Sequence, residues 1–387
     1  MSEGNPQDLD FIRPTVIDID LDALEANYRR ICEIAAPAAV MPILKANAYG
    51  HGLVPCARRL ESLGARAFGV AFLEEGITLR RAGIKTPILA LGGISGRQIG
   101  LFLQYDIDLT ASSVYKLEAI ERKAEEMGKT ARVHLKVDTG MERIGVHYYS
   151  AGPLLEKAIA CRHCEISGIF SHFATAEDED LSFARLQLER FLECASFFEK
   201  HSLPAPLRHM ANSGAILQFP ESALDLVRPG LILFGVSPAP HLAARSPQSR
   251  VMSVRSEVVY FKVVAQGAGV SYGRAWQAPC QTRVVTIPVG YGDGYSRRLS
   301  NNGSVLIRGI RYPIAGRVCM DQFMVDIGPS GAAYNGDEVV LIGRQGGEEI
   351  TVEEISMLAG TDPRDILASL NLRIPRRYYS GGQAVSG

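Results

Sequence analysis

The sequence predicts two domains, an eight-stranded parallel (β/α)8 TIM-type barrel followed by an all-β domain. Three observations carry this prediction. The length of 387 residues exceeds the size at which a single hydrophobic core keeps growing. Over roughly 240 residues, short apolar runs alternate with amphipathic stretches of helical periodicity, which is typical of a closed parallel barrel. Past Pro247 this rhythm stops, and short strands separated by Gly and Pro follow.

The elements of the barrel can be placed in order. A first helix is predicted from about Asp22 to Ala35, because apolar residues recur there at helical spacing. The first strand is predicted to end at Leu44, directly before Lys45. The other seven predicted strands are Ala67–Ala71, Pro87–Leu91, Asp108–Ala111, Val133–Asp138, Ile166–His172, Leu207–Ala211 and Leu226–Phe234.

The second domain is predicted to span residues 249–387, after a barrel domain of residues 1–248. The boundary falls in the Pro- and Ser-containing stretch Ala239–Arg250, and the prediction allows the first residues of the chain to pair with the β domain. Its predicted strands are Val254–Val264, Arg283–Val289, Ser304–Arg308, Phe323–Ile327 and Glu338–Ile342.

Composition excludes several classes of function. A net charge of −1 gives no electrostatic argument for binding nucleic acid or an anionic membrane. The polar, acidic start Met1–Asp8 lacks the features of a signal peptide, and no later apolar run is long enough to span a bilayer, so a cytoplasmic protein is expected.

The seven cysteines are scattered, which suits a reducing compartment. Cys161-Arg162-His163-Cys164 has the spacing of a redox or zinc pair. No second Cys or His pair completes four ligands, so a structural or incidental pair is favoured.

Lys45 lies where the first predicted strand meets a loop containing Tyr49, Gly50 and Gly52. Burial at that boundary would lower the pKa of the lysine and make its amine a nucleophile or a base. A surface lysine before a Gly-rich turn is the simpler interpretation. This simpler interpretation is favoured only if the other strand ends carry no residues that would complete an active site.

The seventh and eighth strands end in residues that suit a phosphate group. Asn212-Ser213-Gly214 supplies a hydroxyl after strand seven, and Arg228-Pro229-Gly230-Leu231 supplies an arginine and backbone N–H groups after strand eight. A lysine and a phosphate cradle at one barrel mouth indicate pyridoxal 5′-phosphate (PLP). Dinucleotide binding is the weaker interpretation, because Gly92-Gly93-Ile94-Ser95-Gly96 does not fit the G-x-G-x-x-G pattern.

Two further strand ends add polar groups. Strand five is followed by a loop containing Arg143, which can reach a carboxylate, and strand six ends at His172, which can stack on a planar cofactor. Each has an ordinary alternative, as a solvated loop arginine or as a buried histidine with satisfied hydrogen bonds. Together with Lys45 and the phosphate loops, they favour an active site.

The chain resembles the alanine racemases over nearly its whole length. The segments LKANAYGHG, VDTGMERIG, SHFATA, HMANSG, VRPG, VSYG, IPVGYGDGY and GRVCMDQ match that family's motifs in order. The resemblance implies a PLP-dependent isomerase that interconverts L-alanine and D-alanine and supplies D-alanine for peptidoglycan. It also implies a homodimer whose active sites are shared between subunits.

The same resemblance implies roles for individual residues. Lys45 would carry the cofactor and act as one catalytic base, and Tyr272 from the other subunit would be the second. Arg143 and the Met320 amide would bind the substrate carboxylate. Other residues placed around the cofactor are Tyr49, His172, Asn212, Ser213, Arg228, Gly230 and Leu231. The supporting residues are Lys136, at a position carbamylated in many members, with His209, Tyr291 and Asp321. The entry to the site would be lined by Tyr291, Arg297 and Arg317.

Two positions depart from the family's pattern. Leu372 stands where the family has a phosphate-binding tyrosine before Arg-Ile-Pro-Arg, and Glu177 stands where aspartate is usual. Both concern the entrance and the phosphate contacts more than the chemistry. A racemase for serine or for a wider range of amino acids therefore stays open.

Arg228 separates the remaining alternatives. An arginine donates hydrogen bonds and cannot accept them, so it favours an unprotonated pyridine nitrogen and disfavours side reactions such as transamination. A PLP-dependent decarboxylase of similar architecture would be expected to have a carboxylate there. A non-catalytic PLP carrier would resemble the barrel alone, without Tyr272 and Met320.

Overall fold

The structure, a computed structural model, describes residues 13–247 and 249–385. The chain forms two compact units. One contains Leu24–Ala48 and Leu53–Ser249, and the other contains Tyr49–Gly52, the described residues up to Ala23 and those from Arg250 onward. The segment Met1–Asp8, used above against a signal peptide, lies outside the described residues. Within the described part, no helix has the length and apolarity needed to cross a membrane.

The first unit is built on a closed barrel of eight parallel strands. Backbone hydrogen bonds join the last strand to the first at Val227 and Val40, and bridges at Ile43–Gly69 and Leu89–Asp108 close the remaining gaps. Numbered here as barrel strands 1 to 8, they are Ala39–Val40, Phe68–Val70, Ile88–Ala90, Leu109–Ala111, Ala131–Asp138, Cys164–Phe170, Leu207–His209 and Leu226–Val227. The predicted barrel is therefore confirmed.

Amphipathic helices follow the strands. Val114–Glu126 is representative: the Ser113 hydroxyl accepts a hydrogen bond from the Lys116 N–H at its start, and Leu117, Ile120 and Ala124 form its buried face. The helices up to residue 249 are Leu21–Ala35, Leu53–Ser62, Leu73–Arg81, Ile99–Gln104, Val114–Glu126, Gly152–Ala160, Ser182–Lys200 and Ser213–Gln218.

Strand 8 is shorter than the predicted Leu226–Phe234. It ends at Val227, and Leu231–Phe234 forms a 3-10 helix instead. Pro229 lies between them and has no N–H to donate to a neighbouring strand, although its carbonyl still accepts from the Ile43 N–H at 2.9 Å. The regular strand therefore ends before Arg228, whose N–H still donates to the Ala211 carbonyl at 2.9 Å.

The second unit consists mainly of antiparallel sheet. In the larger sheet, the hydrogen-bonded order is Ile310–Pro313, Ser304–Ile307, Glu338–Gln345, Met252–Glu257, Val16–Asp20, Arg376–Ser380 and Gln383–Val385, with Glu348–Ile350 also paired to Glu338–Gln345. A three-stranded sheet contains Tyr260–Val264, Thr282–Ile287 and Phe323–Gly328, and Gly269–Val270 pairs with Trp276–Gln277.

Two features of this unit differ from the prediction. The predicted strand Val254–Val264 is two strands, because Val258 N–H bonds to the Asp337 carbonyl whereas Val259 N–H bonds to the Thr286 carbonyl, so the chain changes sheets there. The unit also contains the helices Val352–Ala359 and Pro363–Ser369, which the predicted all-β domain did not include.

Candidate active site

Lys45 begins a left-handed turn a few residues after the first barrel strand, Ala39–Val40. Ala46, Asn47 and Ala48 have φ of 53°, 56° and 52°, and Tyr49 has φ of 52°. The Ala48 N–H donates to the Leu44 carbonyl at 2.8 Å, which closes one turn. Left-handed helix costs about 1–2 kcal/mol per non-glycine residue, so strain is concentrated beside the candidate nucleophile.

Two side chains hold this turn in place. The Glu75 carboxylate accepts hydrogen bonds from the N–H of Ala46 at 2.6 Å and of Ala71 at 2.7 Å, which ties together the loops after strands 1 and 2. The Asn47 side chain accepts from the Leu53 N–H at 2.8 Å. Lys45 itself is exposed in the single chain.

Arg228 is buried at the end of strand 8 and donates in several directions. Its guanidinium bonds to the carbonyls of Ser171 at 2.8 Å and Met210 at 3.1 Å, to Nδ1 of His209 at 2.9 Å and to Nδ1 of His172 at 3.2 Å. Burial lowers its pKa to about 9, so it stays charged at neutral pH. Among the described residues, none places a carboxylate within ion-pairing distance of it.

The donors of Arg228 determine the tautomers of a buried histidine chain. Because a guanidinium only donates, His209 Nδ1 accepts and its Nε2 carries the proton. His209 Nε2 lies 2.8 Å from His134 Nδ1, which must then accept, so the His134 proton is on Nε2. That nitrogen lies 3.9 Å from Asp108, which pairs with Arg132 at 2.7 Å. The chain runs from the carboxyl end of strand 8 to the amino end of strand 4.

These histidines are held neutral. Burial, and after it the charge of Arg228, lowers the pKa of His209 well below its usual value and that of His134 to about 3. Burial raises the pKa of Asp108 to about 6, although Arg132 opposes the shift. The sequence prediction included His209 but missed His134 and Asp108. His134 could have been found, because it lies two residues before Lys136 on one strand and so faces the same side.

Several cations converge on His172 at the end of strand 6. Burial lowers the pKa of His172 well below its usual value, and the positive charges of Arg228, Lys136, Arg143 and Lys45 lower it further. The structure therefore brings these predicted barrel residues together. Such a concentration of positive charge suits an anionic ligand.

Lys136 is buried on strand 5, with its amine 4.8 Å from the centre of the Phe170 ring. Burial, then the charge of Arg228, lowers its pKa well below the usual value, although Asp138 opposes the shift. Asp138 accepts hydrogen bonds from four successive N–H groups, of Gly140 to Arg143, at 2.8–3.1 Å. This carboxylate therefore shapes the loop that carries Arg143.

The loops after strands 7 and 8 are joined through Ser213. The Gly230 N–H donates to the buried Ser213 hydroxyl at 3.0 Å, and the Asn212 side chain accepts from the Ala215 N–H at 3.0 Å. A Cβ on Gly214 would lie 2.4 Å from the Ala176 carbonyl oxygen, so only glycine fits there. The serine hydroxyl, held beside the Gly230 backbone, and the nearby positive charge fit the phosphate of PLP.

In the second unit, three predicted segments form one cluster of loops. The Ser271 hydroxyl donates to the Arg317 carbonyl at 2.9 Å, which joins the VSYG turn to GRVCMDQ. The N–H groups of Tyr291 and Gly292 donate to the carbonyls of Cys319 at 3.0 Å and Met320 at 2.8 Å. Tyr272, Tyr291 and Met320 are all exposed in this cluster.

One departure from the family's pattern, Leu372, has surroundings distinct from those of the nearby Tyr378. Leu372 is 81% exposed, whereas the Tyr378 hydroxyl oxygen lies 2.0 Å from where a Cβ of residue 52 would be. Tyr378 therefore packs against Gly52, which has φ of +104°. Asp321, a predicted supporting residue, forms an ion pair at 2.7 Å with Arg373, which directly follows Leu372.

Comparisons with known proteins identify the same family in both halves of the chain. The alanine racemase N-terminal domain matches residues 19–238 and the C-terminal domain matches residues 251–378. The alanine racemase of Symbiobacterium thermophilum is 41% identical over 377 residues, which cover 97% of this chain and 100% of that protein.

Solved structures give the same result. The alanine racemase of Bacillus anthracis with bound L-Ala-P has a TM-score of 0.91 and 33% identity, and the match covers 97% of each chain. The alanine racemase of Bartonella henselae with covalently bound pyridoxal phosphate has a TM-score of 0.86 and 31% identity, with 95% of this chain and 99% of that chain covered.

Proposed function

The chain belongs to the alanine racemase family, and we propose that it interconverts L-alanine and D-alanine with PLP as its cofactor. The observation that carries this proposal is Arg228, a buried charged donor fixed by His209 and His172. Bound PLP supplies an electron sink that makes the α-proton of an amino acid acidic. An arginine at the pyridine nitrogen would weaken the electron sink, which favours proton transfer over other PLP reactions. The decarboxylase alternative is therefore disfavoured.

The residues of this chain would hold the cofactor at three points. Lys45 would form the covalent bond to the cofactor, and the strained turn fixes the position from which its side chain extends. Ser213 and the N–H groups of Gly230 and Leu231 would take the phosphate, with the Gly230 N–H turning from the Ser213 hydroxyl to the phosphate, and Tyr49 and Asn212 would lie beside them. Arg228 would donate to the pyridine nitrogen. His172 would lie near the ring.

Racemisation removes the α-proton from one face and returns it to the other, so two bases are expected. We assign these roles to Lys45 and to Tyr272 of the partner subunit in a homodimer. Arg143 and the Met320 amide would bind the substrate carboxylate and keep the α-carbon between the bases. Tyr291 and Asp321 would support that side of the site. D-alanine made in this way would serve peptidoglycan synthesis in the cytoplasm.

Lys136 is proposed to carry a carbamate that holds Arg143 in place. The lowered pKa of its amine supports this, because an uncharged amine attacks carbon dioxide and releases one proton as the carbamate forms. The carbamate would convert a buried amine into an anion between Arg143 and Arg228. That charge would offset part of the positive cluster.

The proposal is tested with L-alanine in D₂O and purified protein loaded with PLP. A racemase must produce D-alanine that carries deuterium at Cα, and recovered L-alanine must gain deuterium over time. Replacing Lys45 by Ala should abolish both. Release of carbon dioxide from the amino acid, or deuterium exchange without any D-alanine, would contradict the proposal. A panel of L-amino acids run in parallel defines the substrate range.

A further inference from the structure

Two cysteines and a glutamate meet at the amino end of barrel strand 6. Cys161 follows the helix Gly152–Ala160, Cys164 is the first residue of the strand, and Glu121 belongs to the helix Val114–Glu126. The two Sγ atoms and a Glu121 carboxylate oxygen all lie within 4.8 Å of one another. Zinc lies about 2.3 Å from thiolate sulfur and about 2.0–2.2 Å from carboxylate oxygen, so its ligands are less than about 4.6 Å apart.

We propose that Cys161, Cys164 and Glu121 bind one Zn²⁺ ion. Thiolate and carboxylate are ligands that zinc accepts together, and three of them leave one tetrahedral position for water. Sequence alone disfavoured this because Cys161-Arg162-His163-Cys164 has no second pair. The fold supplies a third ligand from a helix 40 residues earlier in the chain, which no local motif could indicate.

Glu121 is already positioned for this role. One carboxylate oxygen accepts hydrogen bonds from the N–H groups of Arg162 at 2.8 Å and His163 at 3.1 Å, and the other accepts from His163 at 3.1 Å. These hydrogen bonds orient the carboxylate beside the sulfur atoms before any metal arrives.

The two thiols supply the remaining charge. The Cys161 thiol donates to the Lys157 carbonyl at 3.3 Å. Both residues are only partly buried, so an ion can reach them. Binding breaks two S–H bonds, forms two Zn–S bonds and releases two protons to solvent, with no change in oxidation state.

The ion would have a structural role distinct from the proposed racemase activity. It would join two helices to the first residue of strand 6. His172, at the other end of that strand, is roughly 25 Å away along an extended chain. Zinc binding is therefore expected to stabilise the barrel and to leave the racemisation rate unchanged.

Cobalt provides the probe, because Co²⁺ bound to thiolate gives a charge-transfer absorption band. The PLP-loaded protein is reduced with a phosphine, freed of metal and titrated with Co²⁺, and then with Zn²⁺. One equivalent of Co²⁺ should give the band, and Zn²⁺ should remove it. Cys164→Ser should lose the band, whereas Cys280→Ser, at an exposed cysteine of the other unit, should keep it.

Two further measurements separate a metal site from a pair of reactive thiols. Glu121→Gln should weaken binding at least about tenfold, since even groups that only support a metal ligand contribute that much. Zinc should raise the thermal midpoint of the wild type and of Cys280→Ser, but not of Cys164→Ser or Cys161→Ser. The proposal is overturned if the wild type has free thiols but shows no Co²⁺ charge-transfer band. It is also overturned if the band survives in both Cys161→Ser and Cys164→Ser. Because no readout uses racemase activity, this result is independent of the proposed function.

Discussion

At the residue scale, one guanidinium fixes the donor-to-acceptor direction of a buried chain of hydrogen bonds. Arg228 donates to His209, and His209 donates to His134. The protonated Nε2 of His134 faces Asp108. Each imidazole is neutral and has one possible tautomer, so the chain cannot supply a proton to Arg228 without reversing every link. The arrangement keeps Arg228 a donor. This is the electronic property that the proposed chemistry requires of it.

Arg228→Glu should reverse this chain. A carboxylate accepts, so His209 should carry its proton on Nδ1, and His134 should donate from Nδ1 in turn. Nitrogen NMR of histidine-labelled protein reads these tautomers directly. With PLP bound, racemisation should fall by about a hundredfold, the scale for losing one preorganised donor, and transamination should rise relative to it.

Arg228→Lys is the matched control, because lysine keeps the positive charge and only donates. The tautomer of His209 should be unchanged in it. If the glutamate variant folds and its ratio of transamination to racemisation equals that of wild type, Arg228 does not act on the cofactor.

The predictability of these residues from sequence depends on whether their role is local. Lys45, Ser213 and Arg228 follow strand ends within short motifs, so sequence indicates them directly. Asp108 and Glu121 act through contacts made by different elements far apart in the chain. Their roles follow only from the closed barrel, which brings strand 4 beside strand 5 and a helix beside strand 6.

At the scale of the element, close approach between strands 5 and 6 places the histidine chain. Gly168 on strand 6 lies beside His134, and a Cβ there would be 2.1 Å from His134 Nδ1. The absence of a side chain at this position therefore leaves room for the imidazole. Neither the apolar pattern of strand 6 nor its length indicates this, because the constraint comes from the neighbouring strand.

Gly168→Ala should displace His134 and break its hydrogen bond to His209. Overpacking and a lost buried hydrogen bond together should lower the free energy of unfolding by about 2–5 kcal/mol, measured by urea denaturation. Gly152→Ala is the control, because a Cβ there meets no atom within 4 Å and alanine favours helix. Equal stability of the two variants would show that the His134 contact is not tight.

Elements differed from prediction where the backbone conformation depends on tertiary contacts. The Lys45 stretch was expected to be a strand end followed by a glycine turn, yet four non-glycine residues precede Gly50 in left-handed conformation. Propensity argues against that conformation for alanine. It persists because Glu75 and Asn47 accept hydrogen bonds from the surrounding backbone.

At the scale of the whole molecule, the predicted site residues are divided between the two units. Lys45, Arg143 and Arg228 belong to the barrel unit, and Tyr272 and Met320 to the sheet unit. Tyr272 is 71% exposed and Met320 53% exposed in the single chain. An exposed phenol is a poor base for a reaction that needs water excluded. A second copy of the chain that covers these residues would meet that need.

The shared site of the proposed homodimer can be tested by mixing two inactive variants. Lys45→Ala removes the cofactor attachment and one base, whereas Tyr272→Phe removes only the second base. Tyr272→Phe should bind PLP normally and lose about 10²- to 10⁴-fold in racemisation, the usual contribution of one positioned acid or base. Each variant alone should therefore be nearly inactive, for different reasons.

Mixed dimers give different results for shared and unshared sites. If each site combines Lys45 of one subunit with Tyr272 of the other, a mixed dimer has one site with both defects and one with neither. Random exchange of equal amounts should then restore about a quarter of the wild-type activity, since half the dimers are mixed and one site in each is intact. Distinct affinity tags on the two variants verify that mixed dimers form. If they form and activity does not return, Tyr272 serves the site of its own subunit or is not the second base.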